Sequence, residues 1–382
     1  MTALTWPQVY AWRMSQHCLS PRVSSQEAVS AVRRTAGLQA QVLSAAELAL
    51  WTRVEGLSMH EITSALWQDH TLVKTWAMRT TLHLLAARDL PLYAAALTFR
   101  DFRNWPAHFA SYGLSPAQHH AVLSAVPQVL GSDPMTREDL ASALEQRTGI
   151  AHLRDIILSS SWGTLLKQSA LRGELCFGPK QGQHVTFVNP RAWMDPWPSI
   201  EPEQAIRELI RRYLRAYGPA TAEEFARWCW DGGGKNEARQ LFASMQGELE
   251  EVEVEGWRAV ALRATLEPMC RLESAETIHL LPPFDAYTLG TPRDREQLVE
   301  SAYKRLVFRP QAWVSAVILV NGSIQGVWQQ TRRRSHTVVK AHLFCSPTTV
   351  IQQGIEAEVE RLRDFFQTDV VLEYEHRSPL EL

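Results

Sequence analysis

Three times along this chain, stretches with apolar residues at three- and four-residue spacing give way to two short runs rich in β-branched and aromatic residues. In the first cycle residues 1–35 read as helical, with Thr5 as N-cap ahead of Trp6-Pro7, where proline suits the first helical turn. A second helix, SQEAVSAVRR, starts at Ser25. Ser58-Met-His-Glu61 has capping-box spacing and opens a third, from His60 to about Gln68. Two β-like runs follow, Leu72–Ala77 and Thr81–Leu85, joined through Met78-Arg79-Thr80. Helices followed by a hairpin predict a winged helix-turn-helix.

The order returns. Thr136-Arg-Glu-Asp139 caps a helix to about Gln146, a second covers Ile156–Ser169, and Leu175–Phe177 and Val185–Val188 flank the turn Gly178-Pro-Lys-Gln-Gly182, read as a wing. The third cycle runs through Glu203–Tyr217, a helix capped at Thr221-Ala-Glu-Glu224, and a helix from Lys235. Strands Glu248–Val254 and Trp257–Leu262 close it, turned at Glu255-Gly256. The pattern then changes: Leu280–Asp285 is a strand ending in a Pro-Pro loop, and Trp313–Val320 and Ser323–Gln329 form a hairpin around Asn321-Gly322. His336–Phe344 is a further strand and Pro347–Phe366 a closing amphipathic helix. The fold class is therefore α+β: three tandem winged helix-turn-helix units, residues 1–125, 126–200 and 201–275, then a C-terminal β-rich element with its closing helix, residues 276–382.

Composition narrows the chemistry. With 382 residues, 45% hydrophobic and 21% charged, the chain is that of a globular protein. It has no run of about 20 apolar residues and no signal-peptide layout, so a cytoplasmic protein without membrane contact is expected. Cys18, Cys176, Cys229, Cys270 and Cys345 are scattered and odd in number, which indicates buried thiols rather than a disulfide framework or a zinc site. The 14 tryptophans serve packing first and stacking on bases second. A formal net charge of −2 conceals strong polarity. Residues 301–350 carry seven basic and no acidic residues, while residues 251–300 hold five basic and ten acidic and residues 351–382 three basic and eight acidic. One face built for phosphates is the reading, centred on Arg332, Arg333, Arg334 and Lys340.

Several catalytic signatures are absent. His60-Glu61 lacks a second histidine one turn on, Gly232-Gly-Gly-Lys235 is followed by Asn236 where a phosphate loop needs Ser or Thr, and neither a Gly-x-Ser-x-Gly elbow nor a dinucleotide glycine pattern occurs. With repeated winged helices, a nucleic acid becomes the first expected partner. Gln39-Ala40-Gln41, between an amphipathic helix and an apolar run, places two neutral amides close enough to share a water. On a regular helix the two would point roughly 200° apart, and solvated surface glutamines are the ordinary alternative. As a base the pair is weak, sufficient only for a substrate whose leaving group is already activated.

Leu38-Gln-Ala-Gln41, Leu48-Ala-Leu-Trp51, Val73–Arg79 with Thr81-Leu-His-Leu84, and Leu281-Pro-Pro-Phe-Asp285 together resemble the AlkZ/YcaQ-like family of winged-helix DNA glycosylases, along essentially the whole chain. The resemblance implies a monofunctional glycosylase that excises alkylated purines, including those tied into interstrand crosslinks. It implies Gln39 and Gln41 as the catalytic pair, and a monomer that acts on double-stranded DNA with no cofactor or metal. It places Arg79, Thr81 and His83 beside the cleft as DNA contacts, Thr81 and His83 sharing a strand face, and Asp285 as a supporting group behind the site. Thr80 stands where the family pattern leads one to expect glycine. The competing readings are a non-catalytic winged-helix DNA-binding regulator and a scaffold whose basic window docks an acidic protein.

Overall fold

The computed structural model describes residues 2–100, 104–160, 163–194, 196–273, 275–292 and 295–375. The chain forms two compact units, one of Met1–Thr63, Arg211–Trp228 and Lys235–Leu382, the other of Ser64–Ile210 and Cys229–Gly234.

In the first unit the chain begins with a strand the hydrophobic pattern did not announce. Thr2–Leu4 pairs in parallel with Leu249–Val254, which pairs antiparallel with Trp257–Leu262. Helix α1 (Trp6–Gln16) follows behind the expected Thr5 cap, a full capping box with Gln8. Its apolar face joins Val252, Val254 and Ala261 in one core. Trp12 Nε1 donates to the Arg215 carbonyl at 3.0 Å, and the buried Arg13 donates to the carbonyls of Gly218 and Pro219. Helix α2 (Ala28–Arg34) comes after a 3₁₀ turn at Ser25–Glu27, and helix α3 (Leu43–Arg53) lies beyond Gln39-Ala40-Gln41.

The five-stranded sheet of this unit runs, edge to edge, Ile278–Leu281, Ala316–Val320, Ser323–Arg332, His336–Leu343 and Asp369–Tyr374. The last pair is parallel, the others antiparallel. Asn321 and Gly322, both at positive φ (49° and 85°), make the expected two-residue turn. That turn does not reach out as a groove-entering tip. Tyr287 Oη donates to the Gly322 carbonyl at 2.9 Å, and a Cβ on Gly322 would lie 2.4 Å from that of Tyr10. The longer second hairpin carries Arg332, Arg333 and Arg334 exposed at its turn. Helix Thr349–Phe366 closes the unit, with Gly354 against Ile278.

In the second unit Met135–Thr136, His184–Val188 and Cys176–Gln181 form one small sheet. The segment expected as a glycine-rich wing is largely strand, with a register shift between Gly178 and Gln181 and its turn at Gly182. The helix expected over Ile156–Ser169 is two, Leu153–Ser159 and Thr164–Leu171, and residues 161 and 162 lie outside the described residues. Leu72–Trp76 and Leu82–Ala86 form the predicted hairpin. Trp76 packs on Phe177 and Phe187, and Thr75 Oγ1 donates to the Leu175 carbonyl at 3.3 Å. Three of the five thiols expected to be buried are so; Cys270 and Cys345 are exposed.

The Leu72–Ala86 hairpin turns through Arg79 (φ 56°) and Thr80 (φ 55°), with the Thr81 amide donating to the Met78 carbonyl at 3.1 Å. A β-branched residue in the left-handed region costs about 1–2 kcal/mol. Thr80→Gly relieves that strain at the expense of some chain entropy and a small buried side chain. The expected net gain is about 1 kcal/mol, read as a higher urea midpoint at unchanged m-value; a lower midpoint would mean that Thr80 packing outweighs the strain.

Candidate active site and nucleic-acid interface

The glutamine pair sits between two helices in a segment that cannot itself be helical. α2 ends at Thr35, and the chain turns through Ala36 (φ 53°) and Gly37 (φ 101°). The Ala36 amide donates to the Arg33 carbonyl at 3.1 Å and the Gly37 amide to the Val32 carbonyl at 3.0 Å, a Schellman arrangement. Thr35 Oγ1 donates back to Ala31 and Val32 while its carbonyl accepts Tyr217 Oη at 2.8 Å, so the turn is held on both sides. Beyond it Leu38 and Ala40 are buried, Gln39 is half-buried and Gln41 exposed. That alternation belongs to an extended segment, with Leu38–Gln39 a short strand. Leu38–Gln39 is extended and Gln41 lies in the bend before the next helix, so the helical spacing that would point the two amides roughly 200° apart does not apply.

α3 begins two residues after Gln41. Its residues Ala45, Ala46, Leu48, Ala49, Leu50, Trp51 and Arg53 are buried. The Arg53 guanidinium, fully buried, pairs bidentately with the equally buried Asp285, Nη1 to Oδ2 at 2.7 Å and Nη2 to Oδ1 at 2.8 Å. Asp285 Oδ1 also accepts the Tyr287 amide at 2.9 Å and so caps the short helix Ala286–Gly290. The supporting residue expected from the Pro-Pro loop thus touches α3 rather than open solvent. Arg53 Nη2 lies 3.4 Å from His17 Nδ1, which accepts. Burial, with the charges of Arg53 and Arg13, holds that imidazole well below its ordinary pKa and neutral.

Cations also grip the carboxyl end of α3, where they oppose the negative pole of the helix. Arg22 Nε donates to the Thr52 carbonyl at 2.9 Å, and Arg361 Nη2 to those of Trp51 and Val54, both at 3.3 Å. Arg22 and Arg361 share the buried carboxylate of Glu358, and Arg22 Nη2 reaches His279 Nδ1 at 3.0 Å. Burial first, then the neighbouring guanidinium charges, bring His279 down to about 3. Sequence reasoning missed Arg53, although its spacing from Ala46, Ala49 and Leu50 already placed a cation on the apolar face of the helix. It also missed Arg22, Arg361, Glu358 and the two histidines, whose partners on other elements lie tens to hundreds of residues away.

The expected DNA contacts have unlike surroundings. Arg332, Arg333 and Arg334 are exposed at the hairpin turn and form no ion pair among the described residues. Lys340 lies further along the strand, its ammonium 3.0 Å from Glu375 and 3.5 Å from Glu373, which raise its pKa. In the second unit Arg79 is half-buried in the left-handed turn, Thr81 Oγ1 donates to the Met78 carbonyl, and His83 is only 2% exposed. His83 Nδ1 is 3.0 Å from the Thr81 carbonyl, and burial followed by the Arg79 charge brings it down to about 3. It is a neutral imidazole and supplies no cation to a phosphate. Among the described residues no group of three or more His, Cys, Asp or Glu side chains could hold a metal ion, and no helix is long and apolar enough to cross a membrane.

Within the first unit, a cleft of about 410 Å³ is lined by Ser44, Glu47 and Leu48 of α3, by Gln330 and Arg332 of the arginine hairpin, and by Phe365 and Phe366. It brings the first turns of the helix that follows the glutamine pair to the same recess as the hairpin's cations.

The fold is that of a DNA glycosylase. The solved structure of Streptomyces sahachiroi DNA glycosylase AlkZ matches this α+β chain with a TM-score of 0.87 at 32% identity, covering 98% of this chain and 100% of that one. The model of the AlkZ-like DNA glycosylases matches residues 32–365, and the chain belongs to that family, whose members act on N-glycosyl bonds. An interstrand DNA cross-link repair glycosylase of Streptomyces sahachiroi is 34% identical over 328 residues, 85% of this chain and 88% of that protein.

Two outcomes follow from the buried charges. Arg53→Ala or Asp285→Ala leaves a partner uncompensated and is expected to lower stability by about 3–5 kcal/mol. The double variant should cost clearly less than the sum of the two, as measured by chemical denaturation; additivity would mean that the two groups do not interact.

His17, His83 and His279 are neutral in the folded chain but take up a proton near pH 6.5 when unfolded. Their folded pKa values are depressed, so stability is full above about pH 6.5 and is lost as pH falls below it, by up to roughly 1.4 kcal/mol per pH unit for each histidine. His279→Gln should flatten the decline in melting temperature between about pH 6.5 and 5. An unchanged slope would show that His279 titrates normally.

Proposed function

We propose that this protein hydrolyses the N-glycosidic bond of alkylated purines in double-stranded DNA and unhooks purines tied into interstrand crosslinks. The single observation that carries the reading is the non-helical segment Leu38–Gln41, which alternates two buried residues with a half-buried and an exposed glutamine. The 34%-identical relative is an interstrand DNA cross-link repair glycosylase, which supports the crosslink as a substrate.

The chemistry asks for no strong acid or base. Alkylation at the outer five-membered-ring nitrogen of guanine makes the base cationic, so it leaves with the bonding electron pair and needs no proton. Gln39 and Gln41 hold a water through their carbonyl and NH2 groups, its oxygen attacks the anomeric carbon of the oxocarbenium-like sugar, and its proton passes to solvent. Positioning and electrostatics do the work. No covalent intermediate forms, the enzyme is monofunctional, and no cofactor takes part.

The remaining assignments belong to the same reading. Residues 1–125, 126–200 and 201–275 are three winged-helix units that present a monomer to duplex DNA in the cytoplasm. Arg332, Arg333 and Arg334 bind backbone phosphates, with Arg79 and Thr81 as further contacts. His83 contributes as a neutral hydrogen-bonding ring and Lys340 as a cation that a phosphate would share with two carboxylates. Asp285 acts through Arg53 on the helix behind the glutamines. A crosslinked lesion cannot turn fully into a closed pocket as in ordinary base flipping, which favours a site open to the duplex.

The test is a duplex carrying one alkylated guanine, assayed for abasic-site formation in single turnover. Gln39→Ala and Gln41→Ala are each expected to slow excision about 100-fold with duplex affinity nearly unchanged. Excision by both variants at the wild-type rate would remove the glutamines from the mechanism.

A further inference from the structure

The register of the five-stranded sheet gathers several loops at one end. Leu281 pairs with Val317, Ala316 with Trp328, Arg332 with Thr337, and His336 with Asp369. The Pro-Pro loop leaving Leu281, the segment entering Ala316 and the arginine turn therefore emerge together, whereas the Asn321-Gly322 turn lies at the other end. The α3 cleft lies at the first end too, through Gln330, Arg332 and Thr337.

The segment entering Ala316 is itself a tight hairpin. Phe308 and Val314 form a β-bridge, the Arg309 amide donates to the Trp313 carbonyl at 2.9 Å, and Gln311 and Ala312 at the tip have φ of 58° and 59°. Its aromatic residue, Trp313, is 41% exposed. It meets Phe284, in the loop that ends at Asp285, in a T-shaped contact with ring centroids 4.8 Å apart at 72°. No ring lies parallel to it among the described residues. Arg305 and Arg309, in the same stretch of chain, are exposed and form no ion pair among the described residues.

We propose that Trp313 is a DNA-contacting residue whose indole stacks on a base or base pair next to the lesion, holding the duplex unstacked there while the glutamines reach the damaged sugar. Apolar side chains that enter a base step need a stiff support and flanking cations to offset the phosphates. The two-residue tip and the Phe284 buttress supply the support, and the exposed Arg305 and Arg309 of the same segment the cations. This role rests on the glycosylase reading and adds to it a residue that reads base stacking rather than charge.

The experiment uses the full chain and duplexes carrying an alkylated guanine with 2-aminopurine beside it. Wild type is expected to brighten 2-aminopurine on binding and to excise the lesion. Trp313→Ala, with melting temperature checked, should lose the brightening and excise about tenfold more slowly or worse. Trp313→Phe should restore both to within about threefold, since it keeps a stacking face. Wild-type excision with an unaltered Trp313→Ala, or failure of Trp313→Phe to restore a folded alanine variant's loss, overturns the stacking role alone. No excision by wild type overturns the glycosylase reading and the stacking role with it.

Discussion

The bidentate contact between Arg53 and Asp285 is the constraint on which the placement of the glutamines depends. α3 is rich in alanine and leucine, and an apolar helix packed by the non-directional hydrophobic effect has several near-equivalent rotations and slides available. A buried ion pair adds little net stability over an apolar pair of similar volume, but misplacing either member strands a charge. Only one position of α3 satisfies both groups together with the Arg22 and Arg361 contacts to its last carbonyls. Gln41 is two residues from the first turn of that helix, so a shift of the helix would move the amides by the same amount.

On the other side of the motif the constraint is backbone geometry. Two consecutive left-handed residues, one of them alanine, leave α2 no route to continue and lead into the short non-helical stretch that carries Gln39 and Gln41. The alanine at this cap costs about 1 kcal/mol that glycine would not. Its Cβ is fully buried, in keeping with a turn held by packing as well as by hydrogen bonds. The motif is thus clamped between a helix end fixed by Thr35 and Tyr217 and a helix fixed at its far end by ions, and neither clamp uses the glutamines themselves.

What could be read from the chain was local. The capping residues Thr5, Ser58 and Thr136, the Asn321-Gly322 turn and the strands on either side of it all stand where side-chain chemistry put them. Parallel pairings were invisible: Thr2–Leu4 on Leu249–Val254 and His336–Leu343 on Asp369–Tyr374 have no connecting turn to announce them. The Asp285 carboxylate was legible as a loop cap, and it is one, but its guanidinium partner lies 232 residues away and only the fold brings it there. The packing of the Asn321-Gly322 turn was hidden for the same reason. A strong turn signal says where the chain reverses, not whether Tyr10 and Tyr287 will cover it.

The charge pattern separates into two uses that composition merged. In the basic window, Lys340 is answered by Glu373 on the neighbouring strand and Glu375 just beyond it, so part of the acidic tail that follows the window serves to neutralise a cation within the sheet. The turn arginines have no such partners among the described residues and remain outside. A chain of net charge −2 can then present a local positive field at one end of a sheet while the rest of its surface repels a polyanion. Such a field orients an approaching phosphate backbone before contact and decays within about 10 Å at 0.1 M salt. Discrimination between damaged and sound sequence cannot come from that field, since every phosphate is alike. It has to come from groups that sense stacking or the glycosidic bond, and these are uncharged.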